Sequence, residues 1–148
     1  MPSITRTLSP NGALLDVFVS LSRPRIAALK AAGRATPPAK QVSALIDTGA
    51  TASGIDLPLL KALDLQPSGE ITILTPSTGQ GEHRCLTYDI SVNFLGLVGG
   101  LGGQLFQAVE VLGLDLSRQP IDMLIGQDIL KESILIVNGH ANFFSLAF

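Results

Sequence analysis

Ala44-Leu45-Ile46-Asp47-Thr48-Gly49-Ala50, answered far downstream by Pro120-Ile121-Asp122-Met123-Leu124-Ile125-Gly126-Gln127-Asp128, decides how this chain is read. Val42 to Ile46 has the apolar character of a short buried strand, and it runs into an Asp-Thr-Gly turn. Taken alone the triplet is weak ground for chemistry, because Asp and Gly populate ordinary turns. In this setting it offers more. Gly49 lets the backbone approach Asp47 where a Cβ would obstruct, the Thr48 hydroxyl can bond a neighbouring backbone, and apolar Leu45 and Ile46 bury the strand behind the carboxylate. The downstream stretch ends in two apolar residues and a glycine, followed by a short helix over Gln127–Lys131. Asp-Thr-Gly occurs once, and Asp-Ser-Gly does not occur.

Working outward, Leu15, Val17, Val19 and Leu21 alternate as one buried face of a strand would. The segment Ser22–Gln41 holds Pro24, Pro37, Pro38 and five of the ten Lys and Arg residues, with no acid. It reads as an excursion from the sheet with a short helix over Ile26–Ala32: a solvated loop, or a docking surface for an acidic partner. Asp56 is placed to cap a helix over Leu57–Leu63, with Pro58 tolerated in its first turn. Ile71–Leu74 and the alternating Leu86, Tyr88, Ile90, Val92 and Phe94 mark two strands joined by a hairpin tip, Thr75–Gly81. Leu105–Leu112 is a further strand. Ile134–Val137 and Phe143–Phe148 form a hairpin, turning at Asn138-Gly139.

A length of 148 residues fits one domain, 1–148, with room for a core, and 46% hydrophobic against 15% charged residues excludes a disordered tail. Net charge −2 gives no electrostatic reason to expect nucleic acid. Cys85 is alone, so the fold needs no oxidising compartment, and no Cys/His cluster has metal-ligand spacing. Met1–Pro10 lacks the pattern of a signal peptide, and the glycine-rich Phe94–Val109 is too short for a membrane span. A cytoplasmic protein is the expectation, and no membrane role is expected on these grounds.

The succession of strand, Leu-Ile-Asp-Thr-Gly-Ala turn, hairpin, paired strands, apolar-apolar-Gly and short helix resembles the retropepsin-like (retroviral-type) aspartic protease family, single-domain form, from Leu15 to Phe148. The resemblance implies an all-β fold: a closed β-barrel or sandwich with one short C-terminal helix, half of a pepsin-like bilobal fold. It implies that Leu124-Ile125-Gly126 packs against the catalytic loop and that Asp47 is catalytic. Thr48 would interlock two such loops, Gly49 would lie beside the substrate backbone, and Ala50 and Thr51 would contact substrate. Ser77, Thr78, Gly79, Gln80 and Gly81 would form a flap over the bound peptide. Carboxylate catalysis of peptide hydrolysis needs two acids that share a proton. One Asp47 per chain therefore implies a homodimer acting on a peptide or protein substrate, with no metal or cofactor. The aromatic, largely apolar run Phe143–Phe148 is expected to pair with its counterpart in the second copy.

Departures from the family are equally informative. Thr51 and Ala52 stand where retroviral enzymes carry acids that bind substrate backbone, and Gln127 stands where they usually carry an Arg that pairs with the first of those acids. Losing both partners leaves no buried orphan charge. Ala50 replaces the serine that many two-lobed relatives aim at the carboxylate, which implies work at mildly rather than strongly acidic pH. Ser22–Gln41 and Leu95–Gly103 look like insertions. Asp122 and Asp128 flank the last Gly126, and Asp128 suits a helix cap better than a second catalytic acid. His83 and His140 have no nucleophile setting, and Cys85 reads as an inert buried thiol or, more sharply, a redox-sensitive one near the flap. The rival to an enzyme is a non-catalytic dimerisation or peptide-binding module with the same fold.

Overall fold

The computed structural model describes residues 1–73, 82–96 and 104–148. The alternating apolar residues at Leu15, Val17, Val19 and Leu21 form the inner face of strand β2 (Leu14–Leu21), all of them buried. A single strand cannot cover such a face, and the sheet closes around it. β2 lies antiparallel to β3 (Lys40–Ile46), and the order continues through β8 (Met123–Ile125), β4 (Gly54–Asp56), β7 (Gln104–Leu114) and β6 (His83–Phe94). β6 then pairs back onto β2 through Phe18–Leu21, closing a six-stranded barrel whose inner residues, among them Val42, Ile90, Val92, Phe94, Met123 and Ile125, are fully enclosed. β5 (Gly69–Ile73) extends the sheet beyond β6. Two pairings are parallel, β3 with β8 and β4 with β7.

Among the described residues, three short helices decorate the barrel. α1 (Arg23–Ala31) starts with Pro24 in its first turn and ends where Gly33 adopts a positive φ of 67°. It starts three residues before and ends one residue before the Ile26–Ala32 expectation, and it buries Leu29. α2 (Leu57–Ala62) follows Asp56 as expected, but the Asp56 carboxylate does not cap it. Asp56 Oδ1 instead accepts the Leu116 N–H at 2.9 Å and so ties the helix entry to the chain beyond β7. α3 (Gln127–Leu130) is the expected C-terminal helix.

A second, three-stranded sheet has the order β1 (Ser3–Thr7), β10 (Phe143–Ala147), β9 (Ile134–Asn138). Phe144, Leu146 and Ile4 are buried beneath it, and the Phe148 ring packs on Phe94 and Phe106 with centroids 4.9 and 5.7 Å apart. β10 is hydrogen-bonded to β1 on one side and to β9 on the other. The expectation that Phe143–Phe148 pairs with a second copy is thereby corrected: both edges of the strand are filled from within the chain, and Phe144 and Phe148 pack into the chain's own core. The β9–β10 turn also differs in detail. Its positive φ falls at Asn142 rather than Gly139, and Asn138 ends β9 with Oδ1 accepting the Ala141 N–H at 2.9 Å.

Candidate active site

Asp47 stands immediately beyond β3, and parallel pairing of Ala44, Leu45 and Ile46 with Met123, Leu124 and Ile125 brings Gly126 alongside it. The Asp47 N–H donates to the Ile125 carbonyl at 2.9 Å, which fixes the start of the turn to β8. The turn closes on itself through the Ala50 N–H and the Asp47 carbonyl at 3.2 Å. The Gly49 N–H donates to Asp47 Oδ1 at 3.0 Å, and a Cβ at Gly49 would sit 3.3 Å from that same oxygen. Asp47 and Ala50 are half-buried; Thr48, Gly49 and Thr51 are exposed. The turn thus presents its polar groups outward on a braced base.

The brace comes from the second signature segment. A Cβ at Gly126 would lie 2.7 and 2.8 Å from the Ala52 carbonyl carbon and oxygen, so only a glycine lets the two segments touch. From there the Gln127 N–H donates to the Ala50 carbonyl and its side-chain Nε2 to the Thr48 carbonyl, both at 2.9 Å. Where the family pattern has an Arg reaching for an acid, Gln127 holds the turn's backbone directly. The expected packing of Leu124-Ile125-Gly126 against the Asp47 loop is present in these contacts.

Ser53 was not singled out from the sequence. It is fully buried, and it links the two segments: its N–H and Oγ donate to Asp128 Oδ2 and Oδ1 at 2.9 and 2.7 Å, while Oγ accepts the Gly126 N–H at 3.0 Å. Asp128 Oδ1 also accepts the Ile129 N–H. Asp128 therefore lies inside the first turn of α3 rather than at its cap, which is Gly126. No local pattern signals this pair, since 75 residues separate its members.

Asp122 is likewise engaged, with Oδ2 accepting the Ser43 N–H at 2.9 Å. The described residues contain no cluster of three or more His, Cys, Asp and Glu. Leu14, Leu45 and Leu124, aligned by strand register, form a half-buried row opposite the enclosed face of Ala44, Ile46, Met123 and Ile125. By strand alternation this is the face on which Asp47 follows. Cys85 is buried, and burial pushes its thiol above the ordinary value, which disfavours the reactive thiolate. His83 begins β6 and His140 lies in the β9–β10 turn, both exposed. Ser77, Thr78, Gly79, Gln80 and Gly81, expected from the sequence to form a flap, lie outside the described residues, as does the glycine-rich 97–103.

A closed barrel with an aspartate turn locked against a Gly-bearing strand end is the architecture of an aspartic protease half. Residues 38–129 match the family model described as aspartyl protease, and the chain belongs to that family. Its fold is retropepsin-like. A crystal structure of a retropepsin-like aspartic protease from Rickettsia conorii aligns over 99% of this chain and 90% of that one, with a TM-score of 0.59 at 16% identity. The retroviral protease-like domain of Ddi1 from Leishmania major aligns over 85% of this chain and 82% of that one, with a TM-score of 0.38 at 16% identity. No curated protein matches the sequence.

Proposed function

We propose that this chain is a homodimeric aspartic endopeptidase in which one Asp47 from each copy flanks a water at the two-fold axis. The supporting observation is the contrast in how its carboxylates are committed. Asp122 is tied to the half-buried Ser43 backbone and Asp128 to the buried Ser53, whereas Asp47 accepts a single N–H among the described residues and sits on an outward-facing turn. A second acid must then come from a second copy.

The chemistry follows from two such acids sharing one proton. The ionised Asp47 takes a proton from the water as its oxygen attacks the peptide carbonyl carbon, and the protonated one donates to the carbonyl oxygen. Collapse of the resulting gem-diol breaks the C–N bond as the now protonated Asp47 gives its proton to the departing nitrogen and the now ionised one takes a proton from a gem-diol hydroxyl, which restores the shared proton. Gly49 holds one carboxylate oxygen through its N–H, while Gln127 holds the turn, so little reorganisation accompanies the reaction. An extended peptide would be recognised by main-chain pairing, Ala50 and Thr51 would lie along it, and the Leu14–Leu45–Leu124 row would favour apolar side chains. Thr48, exposed beside Gly49, is placed to meet its counterpart in the other copy.

The test is incubation with a peptide library between about pH 4 and 7, wild type beside Asp47→Asn. Cleavage that vanishes in the variant supports the reading. Peptide binding without turnover by the wild type would replace the enzyme with a binding module.

A further inference from the structure

The pairing of β4 with β7 stops early, and the sheet opens where it stops. Leu112 donates its N–H to the Ser53 carbonyl at 2.9 Å, on the side of β7 away from β6. Backbone groups alternate along a strand, so the N–H and carbonyl of Glu110 point the same way. A continued parallel ladder would bring the Ser53 N–H to the Glu110 carbonyl. That N–H goes instead to Asp128 Oδ2 at 2.9 Å, and β4 pairs with β7 only from Leu112 to Leu114. The edge of Phe106–Glu110 remote from β6 therefore has no strand beside it among the described residues. The carboxylate that braces the aspartate turn is also what ends the ladder.

This open edge borders a cavity of about 720 Å³, within the range of roughly 300–1,000 Å³ in which ligands are held. Ala52, Phe106, Val109 and Phe148, all half-buried, give it an apolar lining, with the rings of Phe106 and Phe148 stacked at 5.7 Å. Glu110, Asp128 and Glu132 stand around it against Lys131 alone, so the charge at the cavity is negative. Ala52 joins the cavity to the candidate active site, since it follows the Asp47 turn directly and its backbone packs against Gly126.

We propose that this groove binds an extended stretch of the substrate polypeptide, outside the residues held at the Asp47 turns, as a strand added to β7. This role rests on the peptidase reading above and adds a preference to it: a β-forming segment of apolar residues interspersed with Lys or Arg, at a distance from the scissile bond. The guest's main chain pairs with the N–H and carbonyl of Glu110, its apolar side chains lie on Phe106, Val109 and Phe148, and its cations meet the acids. The occupant belongs to the substrate chain because the groove opens beside the turn where that chain must already lie. A second stretch of the same chain then binds at high effective concentration.

The experiment takes a short peptide that the wild type cleaves, and the same peptide lengthened at its amino or its carboxyl end by about six residues of alternating valine and lysine. Steady-state kinetics should show one lengthened peptide with KM lowered roughly 10-fold and kcat unchanged, as a few net main-chain hydrogen bonds supply. N-methylation of alternate extension residues removes main-chain donors from one edge at a time. One of the two alternating patterns should abolish the gain and the other should not. Glu132→Lys, at an exposed position, should lose most of the gain yet cleave the short peptide as the wild type does. Equal KM for the short and both lengthened peptides would overturn the groove and leave catalysis by Asp47 standing. So would two N-methylation patterns that act alike, or a gain that Glu132→Lys leaves intact. A wild type that cleaves no peptide would overturn the peptidase reading and the groove together.

Discussion

Asp47 and Asp128 stand just beyond the ends of two paired parallel strands, and their surroundings are opposites. Asp128 accepts from the Ser53 N–H, the Ser53 hydroxyl and the Ile129 N–H, so its lone pairs are largely spoken for and its partner Ser53 is fully buried. Asp47 accepts from Gly49 alone among the described residues. A carboxylate has room for about four acceptor interactions. One saturated by fixed donors can only hold structure, while one left mostly open on a braced turn can exchange a proton. The braced turn depends on the saturated acid, because Ser53 carries the contact onward to Gly126.

The contrast breaks if the two acids respond alike to substitution. Asp47→Asn is nearly isosteric on an outward turn, so it should fold with a Tm within about 2 °C of wild type. It should also lose peptidase activity by about 10²- to 10⁴-fold, the contribution expected of a general acid-base group. Residual kcat/KM above about a hundredth of wild type would exclude acid-base catalysis by Asp47.

Asp128→Ala should show the reverse priority. It strips acceptors from the buried Ser53 N–H and hydroxyl, at a cost of about 2–4 kcal/mol, and Tm should fall by roughly 5–15 °C. Activity would fall only in step with the folded fraction and any loosening of the turn. Thermal melts followed by circular dichroism measure this directly. An unchanged Tm would mean that Asp128 is not the anchor its hydrogen bonds indicate.

Gly126→Ala sharpens the same comparison at the point where the two segments touch. The backbone φ of −98° suits alanine, so only space is at issue. The added methyl would meet the Ala52 backbone at 2.7 and 2.8 Å, which has no flexible end to swing away. A loss of about 1–3 kcal/mol is expected from overpacking. Because the displaced atoms lead back to Asp47, kcat should drop further than the folded fraction does. Parallel melts and kinetics separate these terms, and equal losses in both would show that the turn is not shifted.

Much of this arrangement was legible in the chain. The period-two run at Leu15–Leu21 and the long one at Leu86–Phe94 gave the two strands that close the barrel, and the paired signature segments marked the turn. What could not be read depends on partners distant in sequence. β1 has one buried apolar residue, Ile4, and is a strand because β10 offers it an edge. β4 has three residues and exists by pairing with β7 and β8. The carboxylate of Asp56 chose the Leu116 N–H over its own helix, a preference local propensity cannot contain. The aromatic C-terminus announced burial, but apolarity does not say by whom, and β10 found both neighbours within the chain.

The smallest expected effect tests how the turn is held. Gln127 is exposed, and its Nε2 makes one neutral hydrogen bond to the Thr48 carbonyl. Such a bond is worth about 0.5–1.5 kcal/mol, so Gln127→Ala should leave Tm nearly unchanged. A looser turn should nevertheless misplace Asp47 in the transition state more than it weakens peptide binding. The expectation is therefore a loss of about 2- to 10-fold in kcat with KM little altered, the same 0.5–1.5 kcal/mol read kinetically. Replacement chemistry separates positioning from mere packing. Gln127→Glu keeps the shape but offers no donor when ionised and turns negative charge toward a carbonyl, so it should be at least as impaired as alanine. Gln127→Lys keeps a donor on a side chain of similar reach and should recover most of the lost kcat. If Glu and Lys at this position behave identically, the hydrogen bond to Thr48 has no part in placing Asp47, and the brace reduces to Gly126 and Ser53.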